Sequence, residues 1–95
     1  MYKYVLRNSL YLDDELQDYF NEMSKKGWRL DFVSYYYRFV KDEHVYKYQI
    51  DYTPISSEYQ DILKEMGYHE VRNSFDDFRV LENENVDAPD LNTEF

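Results

Sequence analysis

The feature that most constrains the fold of this chain is an internal repetition of short patterns in the same order. Residues 2–5 (YKYV) return as residues 46–49 (YKYQ), and residues 37–40 (YRFV) return as residues 78–81 (FRVL). Between these patterns, each half carries apolar residues spaced at i, i+3, i+4 and i+7. They are Leu16, Tyr19, Phe20 and Met23 in the first half, and Tyr59, Ile62, Leu63 and Met66 in the second. The repetition predicts two similar units in one chain.

Each unit is typical of a strand, a helix and two further strands. Alternating apolar and polar residues predict the strands, and the spaced apolar residues predict one buried face on each helix. The only two glycines, Gly27 and Gly67, follow these helices, where a left-handed residue commonly ends a helix. We therefore predict an α+β fold built from a tandem βαββ repeat, over residues 1–41 and 44–81. The predicted architecture is one mainly antiparallel sheet of about six strands with two helices packed on one face.

Length and charge predict one domain followed by a tail. The 95 residues suffice for one domain, and 12 Tyr, 6 Phe and 1 Trp supply much of its apolar surface. Residues 82–95 contain acids but no Lys or Arg, and they contribute more than half of the net charge of −9. We therefore assign residues 1–81 to the domain and expect residues 82–95 to form an acidic extended or disordered tail.

Cysteine content and hydropathy bear on the compartment. The sequence has no Cys, which excludes disulfides and thiolate chemistry and fits a reducing cytoplasm. Its longest apolar run is far shorter than the roughly 18 residues that a membrane helix needs. We expect a cytoplasmic protein that does not insert into a membrane.

The sequence carries no pattern that indicates a catalytic, cofactor or metal site. Its two histidines, His44 and His69, lack the additional ligands at a suitable spacing that a metal site requires. Asp76 and Asp77 lie in a predicted turn, where aspartate is common. We therefore expect no enzymatic activity, no cofactor and no bound metal.

The favoured hypothesis is a non-enzymatic interaction or regulatory module that binds a protein partner or a second copy of itself. Its basis is an aromatic-rich sheet with one uncovered face, where Tyr36, Arg38, Lys47 and Arg79 are the candidate interaction residues. The alternative is an acidic decoy that inhibits a basic nucleic-acid-binding protein, with the tail acids as the contact. We do not expect nucleic acid as a partner, because the net negative charge repels phosphates.

Several of these segments together resemble a known bacterial family, the domain of unknown function DUF2812. The resemblance rests on residues 21–30 (NEMSKKGWRL), 37–39 (YRF), 48–52 (YQIDY) and 65–68 (EMGY), and it covers residues 10–81. It implies a cytoplasmic domain of a type often followed by membrane segments and encoded near small transcriptional regulators. The family has no established activity, so it implies no catalytic residues. This sequence ends at Phe95 without a membrane segment, and we expect either a stand-alone member or a fragment of a longer protein.

Overall fold

The protein has an α+β fold, as predicted. The structure is a computed structural model that describes residues 1–7, 13–54 and 56–91, and over these residues the chain forms two helices and seven strands. In chain order they are β1 (Tyr2–Leu6), α1 (Asp13–Lys25), β2 (Trp28–Val33), β3 (Tyr36–Lys41), β4 (Lys47–Asp51), α2 (Ser57–Glu65), β5 (Tyr68–Glu70), β6 (Arg72–Asn73) and β7 (Arg79–Asn83).

The strands form two sheets rather than one sheet of six strands. Sheet A has the order β1-β3-β2-β6 and sheet B has the order β4-β7-β5. Residues 68–73 contribute to both sheets, because β5 pairs with β7 whereas β6 pairs in parallel with β2. The change of partner occurs at Val71, whose N–H still donates a hydrogen bond to the Val80 carbonyl at 2.9 Å. One extended segment therefore joins the two sheets.

The two helices do not share one face of a sheet. Val80 and Leu81 are consecutive in β7 and point to opposite faces of sheet B. Val80 belongs to the main core cluster together with Phe20 of α1, whereas Leu81 packs in a second cluster with Leu63 of α2. Sheet B thus lies between α1 and α2, which corrects the predicted arrangement. The reason is that α1 packs against both β2 of sheet A and β4 of sheet B, whereas α2 packs against β5 on the other face of sheet B.

Local signals place the helix ends close to where the sequence predicts them. Gly27 and Gly67 have φ angles of 92° and 84°, the left-handed conformation that glycine adopts at little cost. Helix α2 is capped by Ser56, whose hydroxyl accepts a hydrogen bond from the Tyr59 amide at 3.1 Å. Ser56 therefore satisfies one of the backbone N–H groups that the first turn of α2 leaves without a partner in the helix.

The predicted tail boundary after residue 81 falls inside β7. Glu82 and Asn83 are buried, and the segment 84–91 that follows packs on sheet B. Ala88 is buried in the cluster around α2, and the Leu91 amide donates to the Gln49 side chain at 3.0 Å. The domain therefore includes this part of the predicted tail, because its apolar residues cover the second core. Residues 92–95 lie outside the described residues.

Candidate interaction surface

Sheet A covers α1 with one face and leaves the other uncovered by the described residues. Leu30, Tyr37 and Phe39 point from its inner face into the main core. The cross-strand register places Tyr4 opposite Arg38 and Leu6 opposite Tyr36, so these side chains share the outer face. We call this surface the open face, and it consists of Tyr2, Tyr4, Leu6, Phe32, Tyr36 and Arg38.

The rings of the open face form a contiguous layer. Tyr4 meets Tyr36 edge to face with ring centres 5.6 Å apart, and Phe32 lies 6.0 Å from Tyr36. Despite these contacts, Tyr2, Tyr4 and Leu6 remain 55%, 62% and 84% exposed. An exposed apolar patch of this kind on a small protein commonly marks a binding surface.

Arg38 lies flat at the centre of this layer. Its guanidinium carbon is 5.0 Å from the Tyr2 ring centre and 5.6 Å from that of Phe32. Asp31 holds it from the side, with Oδ2 at 2.7 Å from Nε and 2.5 Å from Nη2. The hydrogen bond from Asp31 raises the pKa of Arg38 above its ordinary value. The open face therefore presents a fixed, permanently charged guanidinium among aromatic rings.

Strand β1 forms one edge of sheet A, and its outer edge has no backbone partner among the residues that the structure describes. Arg7 N–H donates to the Tyr35 carbonyl at 3.0 Å, and Lys41 N–H donates to the Met1 carbonyl at 3.4 Å. Odd-numbered residues of the strand therefore bond β3, and the backbone groups of the even-numbered residues point away from it. These outward residues are Tyr2, Tyr4 and Leu6, the same ones whose side chains are exposed on the open face.

The corresponding edge strand of sheet B, β4, is blocked by side chains of α1. A polar stripe at i, i+4 and i+7 of the helix hydrogen-bonds the outward backbone groups of β4. The contacts are Gln17 Oε1 to Ile50 N at 2.9 Å, Asn21 Oδ1 to Tyr48 N at 2.7 Å, and Ser24 Oγ to Tyr46 N at 2.7 Å. The fold thus closes one long sheet edge and leaves the other, β1, without such a cover in the described part of the chain.

Of the four candidate residues from the sequence, Tyr36 and Arg38 lie together on the open face, and Lys47 and Arg79 do not. The Lys47 side chain is covered by the segment 84–91, with Nζ at 2.6 Å from the Ala88 carbonyl and 2.5 Å from Asp90 Oδ1. The Arg79 side chain is only 13% exposed and is paired with Asp51 at 3.1 Å. The prediction of a single sheet put all four on one outer face. The structure has two sheets instead, and both faces of sheet B are covered, whereas sheet A has one uncovered face.

Tyr2, Tyr4 and Leu6 were not among the candidates, although they are the most exposed part of this surface. The alternating pattern of β1 also occurs at β4 and the residue before it, where Tyr48 and Tyr46 are buried. The sequence pattern is therefore the same for a buried and an exposed strand, and it carries no signal that separates them.

A separate polar cluster joins the two sheets at the floor of a cleft of about 220 Å³. The Glu82 carboxylate is 1% exposed and accepts two hydrogen bonds from Arg29, at 2.8 and 3.1 Å, and one from the Tyr48 hydroxyl at 2.7 Å. His69 Nε2 lies 2.7 Å from the same carboxylate. Burial raises the pKa of Tyr48, and Glu82 adds to this shift. Since the carboxylate is fully engaged by these partners, we assign the cluster a structural role.

Within residues 1–7, 13–54 and 56–91, no three His, Asp or Glu side chains converge in a way that would hold a metal ion. No helix formed by these residues is long and apolar enough to cross a bilayer.

The family model described as "Protein of unknown function (DUF2812)" matches residues 13–94. The chain therefore belongs to the DUF2812 family, which confirms the resemblance found in the sequence. No curated protein and no solved structure matches the chain.

Proposed function

We propose that this protein is a non-enzymatic interaction or regulatory module that binds a protein partner through the open face of sheet A. One observation carries the proposal. The same residues of β1 have exposed apolar side chains and outward backbone groups that have no partner in the described structure. A partner that docks here gains apolar burial and backbone hydrogen bonds at the same time.

The composition of the open face supports a protein partner. Binding hot spots are enriched in Tyr and Arg, and the open face presents Tyr2, Tyr4, Tyr36 and Arg38 side by side. Arg38 is already held by Asp31, so its side chain loses little conformational freedom when a partner binds. The proposal includes a bacterial, cytoplasmic setting, with which the absence of cysteine agrees.

We further propose that the two halves of the chain descend from one strand–helix–hairpin unit. In support, β1-β3-β2 and β4-β7-β5 are equivalent orders, because the last strand of each half lies between the other two. A left-handed glycine also ends the helix in each half.

The alternative proposal, an acidic decoy for a basic nucleic-acid-binding protein, draws support from the acids of the segment 84–91. Glu84 and Asp87 are exposed, whereas Asp90 is already paired with Lys47. This alternative predicts strongly salt-dependent binding that is lost when Glu84 and Asp87 are changed to Asn or Gln, and unaffected by changes on the open face.

Site-specific photocrosslinking in cells tests the main proposal. A photoreactive phenylalanine analogue at position 36 is expected to give discrete adducts, and the same residue at position 62, on the exposed side of α2, is the matched control. Arg38→Glu is expected to abolish the position-36 adducts, because it repels Asp31 and removes the central cation. Position 36 giving no more adduct than position 62 would contradict the proposal. Mass spectrometry of the adducts identifies each partner.

A further inference from the structure

We propose that the partner that pairs with β1, at the edge of the open face, is a second copy of this chain, joined by antiparallel pairing of β1 with β1 about a two-fold axis at Tyr4. The inference rests on the proposed function and specifies its partner and geometry. The pairing of β1 with β1 forms a continuous sheet of eight strands, in which the open faces of the two protomers form one surface.

The backbone of β1 has the spacing that such pairing requires. In an antiparallel pair, every second residue exchanges two hydrogen bonds with the residue opposite. The outward groups of Tyr2, Tyr4 and Leu6 provide three consecutive positions of this kind. Pairing Tyr4 with its own copy places Tyr2 opposite Leu6 at both ends, so all three positions find a partner.

The charges on β1 select this register. Lys3 is the only charged side chain of β1, and Arg7 directly follows the strand. Both project to the inner face, where Lys3 lies over Trp28 and Arg7 over Phe75. A register centred on Lys3 would place that residue opposite its own copy, and one centred on Val5 would place Lys3 opposite Arg7. Like charges directly opposite each other destabilise a strand pair. The register centred on Tyr4 instead places Lys3 opposite Val5 and Arg7 opposite the uncharged side chain of Met1.

The apolar side chains match in the same register. Tyr4 meets Tyr4 at the axis, and each Tyr2 meets the Leu6 of the other copy, which extends the aromatic layer across the interface. Aromatic–aromatic and aromatic–aliphatic cross-strand pairs stabilise sheets. A strand of this sequence is therefore complementary to itself in side chains as well as in backbone.

The area available indicates a weak, reversible dimer. Met1 and Leu6 are 87% and 84% exposed, and Tyr2 and Tyr4 are more than half exposed. With large side chains contributing up to about 200 Å² each, these four offer about 500 Å² per protomer. Two protomers then bury at most about 1,000 Å², because pairing at the edge leaves part of each open face exposed, and this is below the roughly 1,200–2,000 Å² of a stable interface. We therefore expect a dissociation constant in the micromolar range, from about 10 to 100 μM.

Sedimentation equilibrium from 5 μM to 1 mM tests the inference. The wild-type protein is expected to move from monomer to dimer, and Tyr4→Lys, which places two like charges at the axis, is expected to weaken association at least tenfold. Ile62→Lys is the matched control, because it makes the same apolar-to-lysine change at a 50% exposed site on α2. Wild-type monomer throughout, unchanged association of Tyr4→Lys, or equal weakening by Ile62→Lys would each overturn the inference.

A cysteine crosslink tests the register, because the natural sequence contains no cysteine. Opposed residues in a hydrogen-bonded antiparallel pair have Cα atoms about 5.5 Å apart, within the range of a disulfide. Tyr4→Cys is therefore expected to form a covalent dimer under mild oxidation. In Tyr2→Cys the two thiols lie four residues apart along the strands, about 13 Å, so that crosslinking should be at least tenfold slower. Equal rates, or a faster Tyr2→Cys reaction, would overturn the register.

The two proposals fail in different ways. Photocrosslinked adducts at position 36 with another protein, together with a strictly monomeric wild-type protein, would overturn the dimer and support the interaction module. The absence of any adduct would overturn both proposals. Adducts with the chain itself that disappear in Tyr4→Lys would support both.

Discussion

Substituting Glu82 by glutamine should destabilise the protein more than any other single change of one acid to its amide. The carboxylate is 1% exposed, and it accepts hydrogen bonds from Arg29 of sheet A and Tyr48 of sheet B, with His69 on its remaining side. Glu82→Gln removes the charge that these donors face and directs an amide NH₂ group toward at least one of them. The Arg29 guanidinium then loses its main counter-charge.

The size of the effect follows from the burial of the two partners. Breaking a buried ion pair by removing one member costs about 3–5 kcal/mol. The Arg29 side chain is 34% exposed and recovers part of its hydration, which reduces the cost. A fully buried carboxylate that loses charged hydrogen bonds nevertheless leaves unsatisfied donors behind, and we expect a loss of about 2–4 kcal/mol. This is a large fraction of the stability of a domain of this size, about 5–15 kcal/mol.

Urea unfolding followed by the fluorescence of Trp28, the only tryptophan, provides the assay. Glu84→Gln is the matched control, since Glu84 is an exposed acid two residues further along, and its substitution should change stability by less than about 0.5 kcal/mol. If Glu82→Gln stays within 0.5 kcal/mol of wild type, the cluster does not join the sheets as we describe. Equal losses in both variants would point to net charge instead.

Three further changes test other parts of the fold. Gly67→Ala should cost about 1–2 kcal/mol in the same unfolding assay, because φ is 84° and a Cβ would lie 3.3 Å from Asn83 Oδ1; no loss would mean that the helix ends differently. Burial alone would raise the pKa of Asp51, but hydrogen bonds from Thr53, Tyr59 and Arg79 outweigh it and lower the pKa. The stability that this carboxylate contributes is therefore present above the unfolded-state pKa of about 3.9 and is lost as pH falls below it. Asp51→Asn should cost about 2–3 kcal/mol at pH 7 and progressively less as pH falls below about 3.9 and through the lowered folded-state pKa, and a pH-independent difference would refute this assignment. Asn21→Leu should speed hydrogen exchange of the Tyr48 amide at least tenfold by uncovering the β4 edge, and unchanged exchange would contradict that role.

The sequence predicts the local elements well because their signals are local. The i, i+3, i+4, i+7 spacing and a following glycine locate both helices, and Gly27 and Gly67 adopt the left-handed conformation expected of them. Strand positions follow from alternation in the same way, and the α+β class follows from the order of the elements.

The arrangement of the sheets depends on long-range contacts that the sequence pattern does not encode. Whether residues 68–73 stay with β7 or move to β2 is decided at Val71, which no turn residue marks. Likewise, the apolar face of α1 predicts that the helix is buried, but not that its polar stripe at Gln17, Asn21 and Ser24 bonds β4. The prediction of one six-stranded sheet failed for these reasons.

For a related reason, only two of the four candidate residues lie on the open face. Tyr36 and Arg38 lie on the open face, but a basic residue in a strand indicates an exposed position only if that face of its sheet is uncovered. Lys47 and Arg79 lie in sheet B, which is covered on both faces, and each is paired with an acid. The segment 84–91 that covers Lys47 has no periodic pattern, so its packing was not predictable.

The most direct test of the proposed pairing is amide hydrogen exchange along β1, resolved by residue, at low and high protein concentration. The amides of Lys3, Val5 and Arg7 face β3 and should be protected at every concentration. The amides of Tyr4 and Leu6 face outward, and we expect them to exchange freely at 5 μM and to become protected near 1 mM. Outward amides that exchange equally fast at both concentrations would contradict the edge-to-edge dimer.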